Sequence, residues 1–491
     1  MFSALRPLLS AAVALAWLPT LHAQAPEAAK PDAPAIYQQH CAVCHGAQRT
    51  GLMGPALLPE SLERVRPAEL QRVIAQGRPA TQMAGFASQL SESEIQALAA
   101  WVRTPVVPAP RWGEADIRAS RSFTPLPADE PVKPKWDADP MNLFIVVEGG
   151  DHHVSLLDGD RFEVITRFAS RYALHGGPKF TPDGRYVFFG SRDGWITKYD
   201  LYRLQVVAEV RAGQDSRSLA ISGNGKYLAV ANQRPHKLVL LDAELNLLKA
   251  HPALNQQRTR SSPILSVHDA APRRSFVAVL QDVPEIWEIS YNPAADDVPI
   301  GMIHDFLYKE GAFIPGFLNP RRSVLPEPMG QVFFTPSHHE LLGMSRQGGK
   351  SQVIHLDVRK TIASLQLSDM PASGAAATWN YRPAPGTPER SVMALPSPGD
   401  GLVRLLDLES WATLKTVPMP GPGRLMRSHE GAPHVWMIQA PTSNGAGALQ
   451  LLDKHKLELR EPIKVLGYTN VPVKLFKGVE SKVRVHVTQE N

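Results

Sequence analysis

Cys41-Ala42-Val43-Cys44-His45 constrains this chain more than any other stretch. Two cysteines two residues apart, with a histidine directly after them, form the attachment site of a c-type haem. The thiols add across the haem vinyl groups and the imidazole becomes the proximal iron ligand. These are the only 2 cysteines among 491 residues, so the thioethers consume the whole supply. The other readings of the spacing ask for more than the chain offers. A redox dithiol needs a thioredoxin-like βαβ setting, and a zinc site needs two further ligands.

Around this motif residues 30–104 read as a small helical domain. Ala33 to Cys41 has helical spacing and delivers both cysteines onto one turn. The iron's opposite face needs a second ligand, and Met83 is the first candidate, in the loop Gly77 to Phe86; Met53, in Gly51-Leu52-Met53-Gly54-Pro55, is the rival. Ser91 and Glu94 have the spacing of a capping box that opens a helix running to Trp101. A thioether ligand raises the potential, which suits electron relay.

The ends and the composition narrow the setting. Residues 1–23 read as a secretory signal, with Arg6 for charge, Leu8 to Leu18 as the apolar run and Leu21-His22-Ala23 as the cleavage site. The run is too short to span a bilayer and no other stretch is apolar enough, so a periplasmic protein without a membrane span is expected. A formal charge of +5 is small for this length and gives no reason to expect a nucleic-acid partner.

Residues 105–140 are rich in proline and predict an extended, semi-rigid linker, with Trp112 and Ile117 as points that pin it to a surface. After Met141 the chain repeats. Thr181-Pro182-Asp183-Gly184 leads into the apolar run Tyr186 to Gly190, and Asn224-Gly225 leads into Tyr227 to Val230. Apolar runs closing on an aspartate recur at Asp200, Asp242, Asp357, Asp407 and Asp453. A period of about 40 residues with roughly four short strands per unit is the signature of propeller blades. The 44 prolines and 35 glycines supply the turns. The expectation is a two-domain chain, α followed by all-β: a cytochrome c domain, then a β-propeller over 141–491 with seven units and room for an eighth shared between the ends.

This order of parts resembles the cytochrome cd1 family, in which an eight-bladed propeller carries haem d1. The match rests on Tyr172-Ala173-Leu174-His175, on Gly190-Ser191-Arg192-Asp193-Gly194 and on Asp215-Ser216-Arg217-Ser218. The resemblance implies that His175 is the axial ligand of the d1 iron and that Arg192 and Arg217 face the d1 carboxylates, a pairing that suits planar guanidinium groups. Export also fits, because c-type cytochromes are matured outside the cytoplasm.

Within the family, the nitrite reductases carry two distal histidines in settings absent here. This chain instead reads Phe317-Leu318-Asn319-Pro320 and Asp369-Met370-Pro371-Ala372 where those histidines would fall. Asp269 to Phe276, Trp287 to Tyr291, His304-Asp305-Phe306 and Leu425 to Glu430 resemble the branch that finishes haem d1. The resemblance implies a dihydro-haem d1 dehydrogenase that takes two electrons and two protons from a propionate to leave an acrylate, passing electrons through haem c to a periplasmic acceptor. The nitrite reductase and other d1-assembly proteins are the implied partners. His429 is the first candidate for the base, with His338, His339 and His304 behind it; Arg427 is a candidate carboxylate partner, and Tyr468 reaches toward the pocket from the last blade. The alternatives are the nitrite reductase, a non-catalytic d1 carrier and an unrelated cytochrome–propeller fusion. After Leu466 the chain departs from the family pattern, reading Gly467-Tyr468-Thr469-Asn470 and then a basic tail without a blade turn.

Overall fold

The structure is a computed structural model. It describes residues 30–487 except 53, 63–64, 79–82, 126–132, 149–150, 162, 301–311, 346–349, 368–375, 398–400, 420–422, 429–431, 440–447, 460–466 and 477–478. The segment read as a signal, Met53, His304 and His429 therefore lie outside the described residues.

Among the described residues the N-terminal domain has four helices: α1 (Ala33–His40), α2 (Ala42–His45), α3 (Pro67–Gln76) and α4 (Glu92–Trp101). Ser91 and Glu94 form the expected reciprocal cap, each accepting from the other's backbone N–H. The C-terminal end of α4 is held by Arg49, whose guanidinium donates to Trp101 O at 2.9 Å and Thr104 O at 2.7 Å and lies over the Trp101 ring. A cation at these last carbonyls satisfies acceptors that the helix leaves open. Tyr37, Leu70, Ile74, Ile95 and Leu98 form the core.

The second domain is a succession of antiparallel sheets in chain order. The first is Leu143–Glu148, His153–Asp158 and Glu163–Ala169; a five-stranded sheet follows around Tyr186–Gly190, then four-stranded sheets around Tyr227–Arg234, Ser275–Leu280, Glu340–Ser345 and Arg390–Ser397. The seventh has three strands, Gly423–Arg427, His434–Gln439 and Ala448–Asp453, and a terminal hairpin pairs Gly467–Phe476 with Val479–Val487.

Residues alternate between two faces of a strand, and here both faces are buried. Leu228 and Val230 enter the core shared with the second sheet, while Ala229 and Ala231 enter the core shared with the fourth. Phe276 and Ala278 pack toward the third sheet, and Val277 and Val279 toward the fifth. A separate apolar cluster sits between each consecutive pair from the first sheet to the seventh. Stacking of this kind is why the strands read as continuous apolar runs.

The recurrent aspartates have a local cause. Asp200 Oδ1 accepts from the backbone N–H groups of Tyr202 and Arg203, Asp407 Oδ1 from Glu409 and Ser410, and Asp453 Oδ1 from His455 and Lys456. Each is a turn in which the carboxylate replaces the missing ladder partner. Asp357 is different: its strand ends at His355 and its carboxylate pairs with Arg273 and His339.

The proline-rich stretch is more structured than its composition suggests. A short helix spans Glu114–Ala119, with Ile117 buried, and Ser122–Phe123 adds a strand to the outer edge of the second sheet. Trp112 Nε1 donates to Arg211 O at 3.0 Å and Trp136 Nε1 to Leu201 O at 2.7 Å. The edge strand Gln205–Arg211 offers unpaired backbone groups, and the extended segment covers them.

Candidate functional site

His45 sits on the last turn of α2, directly after the two cysteines. Its Nδ1 lies 2.8 Å from Pro55 O, so Nδ1 carries the proton, donates to that carbonyl and leaves Nε2 as a lone-pair donor. Burial lowers its basicity and keeps the ring neutral, the form that binds a metal. Gly54 lies flat against the imidazole: a Cβ there would stand 2.8 Å from His45 Cε1. Cys41 and Cys44 are unpaired thiols, and burial pushes the Cys41 thiol up to about 11. Reactive dithiols have depressed values, and this thiol does not show one.

Met83 reaches the same space from the loop after α3. Gly77, at φ 75°, turns that loop back, and the Arg78 N–H donates to Met83 O at 3.0 Å. The cavity between them is about 580 Å³, with Leu57, Leu70, Ile74 and Leu98 on its walls. Two thiols, a neutral imidazole with one free nitrogen, a facing thioether and an apolar enclosure are the donor set that a c-type haem requires.

The cavity does not end at the first domain. Tyr172, Arg192, Asp193, Gln214 and Arg217 of the second domain line it together with the cytochrome residues. His175 stands beside it: its N–H donates to Gly190 O at 2.8 Å, and Leu174 bridges to Ser191, which docks the segment on the second sheet. Burial, then Arg192 and Arg217, lower the basicity of His175, so it too is neutral. Arg217 forks onto Asp215 at 2.8 and 3.2 Å. His175, Arg192 and Arg217 are thus gathered at one place, and Arg192 and Arg217 also wall the space in front of His45 and Met83.

The remaining candidates fall elsewhere. His339 is on the fifth sheet, with Nδ1 2.7 Å from Asp357 Oδ2, and does not line the cavity. His338 stacks on Phe334 at 5.0 Å, Phe334 meets His268 edge-on at 5.6 Å, and Lys179 near His268 donates to Gly176 O at 2.6 Å. That series connects His338 to the residue after His175. Arg427 and Tyr468 lie on strands whose side chains at those positions are not described.

Sequence reasoning missed Asp193, Tyr172, Arg78 and His152 as wall residues of the cavity. Asp193 and Tyr172 belong to the segments flanking His175 and Arg192, but the interdomain contact that gives them a shared cavity has no periodic signal.

Residues 28–102 match the family of cytochrome c oxidase, cbb3-type, subunit III, and residues 138–477 match the cytochrome D1 heme domain family. The chain belongs to the cytochrome D1 heme domain family. It is 44% identical over 440 residues to a dihydro-heme d1 dehydrogenase of Pseudomonas aeruginosa, covering 88% of this chain and 83% of that one. It is 28% identical over 304 residues to a nitrite reductase of Stutzerimonas stutzeri, covering 58% and 52%. A solved structure of the dihydro-heme d1 dehydrogenase NirN in complex with DHE superposes with a TM-score of 0.76 at 44% identity, covering 89% of this chain and 88% of that one. A further 40 residues are 72% identical to the large ribosomal subunit protein bL9 of Lactobacillus johnsonii, 8% of this chain and 26% of that protein. Among the described residues no helix is long and apolar enough to cross a membrane.

Proposed function

We propose that this chain is a periplasmic dihydro-haem d1 dehydrogenase whose stacked sheets close into an eight-bladed propeller. The observation that carries the reading is the cavity shared by the Cys41-Cys44-His45 crevice and the Arg192–Arg217 wall. Residues that would hold an electron acceptor and residues that would hold a carboxylate-rich tetrapyrrole line this one space. The 44% identity to a dihydro-heme d1 dehydrogenase over most of both chains supports the same substrate.

In this reading His175 binds the iron of the substrate, and its neutral state is the ligating one. Arg192 and Arg217 orient the carboxylates, with Asp215 holding the Arg217 fork in place. Cys41, Cys44, His45 and Met83 would hold a covalently attached haem, which would supply one-electron acceptance. His429 takes the proton from the propionate carbon, a weak acid that needs a positioned base. Arg427 assists with a carboxylate, and Tyr468 is a further candidate. His338 and His339 stand as secondary positions. The product passes to the nitrite reductase and other d1-assembly partners, and the electrons to a periplasmic acceptor.

The test is anaerobic incubation of the purified haem-loaded protein with dihydro-haem d1, followed by mass determination of the extracted tetrapyrrole. Loss of two hydrogens, abolished in His429→Ala, is the expected result. Tight binding with no mass change would make the chain a carrier instead.

A further inference from the structure

Asp193 is the buried acid of the cavity wall that the dehydrogenation reading leaves without a task. It is 2% exposed and lines the same space as His45 and Met83. Ser191 Oγ donates to its Oδ1 at 2.5 Å, and Arg211 Nε donates to its backbone carbonyl at 2.9 Å. Oδ2, by contrast, is buried with no hydrogen-bond partner among the described residues. An ionised oxygen left this way is costly, and a proton on it removes the cost. Burial pushes the Asp193 carboxyl up to about 6, against the opposing pull of Ser191 and Arg211.

The charges around it come from several elements. Arg211 faces it from the strand Gln205–Arg211, and Arg171 and Tyr172 from the segment before His175. Arg192 is its neighbour in the turn, and Arg78 lines the cavity from the cytochrome side. Arg171 is matched by Glu209 at 2.5 Å and Arg217 by Asp215 at 2.8 Å, while His152 rests edge-on against Tyr172 at 5.1 Å. Among these groups Asp193 is the one that combines deep burial with an unpartnered ionisable atom.

An electron arriving in a low-dielectric cavity strengthens proton binding by any acid that shares the field, and by linkage the proton raises the potential equally. We infer that Asp193 is the proton-accepting residue coupled to reduction of the c haem. One proton binds Oδ2 for each electron that reaches the haem, and it leaves when the electron passes to the external acceptor. This rests on Cys41, Cys44 and His45 being the haem c site.

The experiment is a spectroelectrochemical titration of haem c in the purified holoprotein without tetrapyrrole substrate, from about pH 5 to pH 8. In the unmutated protein the midpoint potential falls as pH rises. The limiting slope is a tenfold change in the oxidised-to-reduced ratio per pH unit, about 59 mV for one electron. Asp193→Asn flattens the profile over that range. Ser191→Ala removes a donor to the charged carboxylate and moves the sloping window to higher pH. An undiminished slope in Asp193→Asn overturns the proposal and assigns the coupling to haem propionates or histidines. If Asp193→Asn does not fold, an unmoved window in Ser191→Ala overturns it. Lack of a covalent haem spectrum in the unmutated protein is a separate outcome, which overturns the haem c reading and the coupling with it.

Discussion

The guanidinium of Arg211, on the second sheet, donates to the carbonyl of Thr50, in the loop after His45, at 2.5 Å. The same group donates to Asp193 O, and its charge lies 4.9 Å from the centre of the Trp112 ring. One side chain therefore joins the haem loop, the turn that carries Arg192 and the interdomain segment. Arg211→Met retains the bulk but removes both donors. It is expected to lower stability by about 2–4 kcal/mol, because one buried and one part-buried carbonyl lose a charged partner. Urea unfolding followed by haem absorbance and by tryptophan fluorescence measures the loss and also whether the two domains still unfold together.

Gly54→Ala puts a methyl group 2.8 Å from His45 Cε1, inside contact distance. The imidazole must tilt or the loop must move, at a cost of about 1–3 kcal/mol. Absorbance of the reduced protein tests this: the low-spin haem c bands weaken or shift, whereas Gly386→Ala, where a Cβ meets nothing within 4 Å, leaves them unchanged.

His268 is half-buried, and desolvation lowers its value to about 4. The unfolded chain takes up this proton near pH 6.5, while the folded chain resists until about pH 4. Stability therefore rises with pH across that interval and is lost as the pH falls through it, by about 3 kcal/mol in total. Asp193 titrates in part of the same range with the opposite sign, since its folded value is raised. Subtracting the pH–stability curve of His268→Gln from that of the unmutated protein isolates the histidine. The difference is expected to be level above pH 6.5, to fall by about 3 kcal/mol between pH 6.5 and pH 4, and to be level again below that.

His175→Ala removes the ligand proposed for the substrate iron. Tetrapyrrole affinity is expected to fall at least about 100-fold, or roughly 2.7 kcal/mol, with the haem c spectrum unaltered. An optical binding titration reads both together. Unchanged d1 absorbance in the variant would remove His175 from the site.

Much of this was legible in the chain because it depends on short-range spacing. The Cys41–His45 turn, the Ser91–Glu94 cap and the strand-closing aspartates are each decided within about five residues, and local backbone chemistry leaves them few alternatives. The repeat of turn and strand anticipated the stacked sheets for the same reason. The linker was misread in part because proline content reports local stiffness and says nothing about a neighbouring strand edge in need of partners.

What the sequence by itself determined was the kind of domains and their order, and it named the candidate donor atoms for a c-type haem. Only the tertiary structure decided that the haem crevice opens onto Arg192, Asp193 and Arg217, and that Arg211 ties the two sides together. Those contacts join residues separated by more than a hundred positions. Burial, and with it the altered proton affinity of Asp193 and His175, depends on which surfaces meet rather than on any residue's neighbours along the chain.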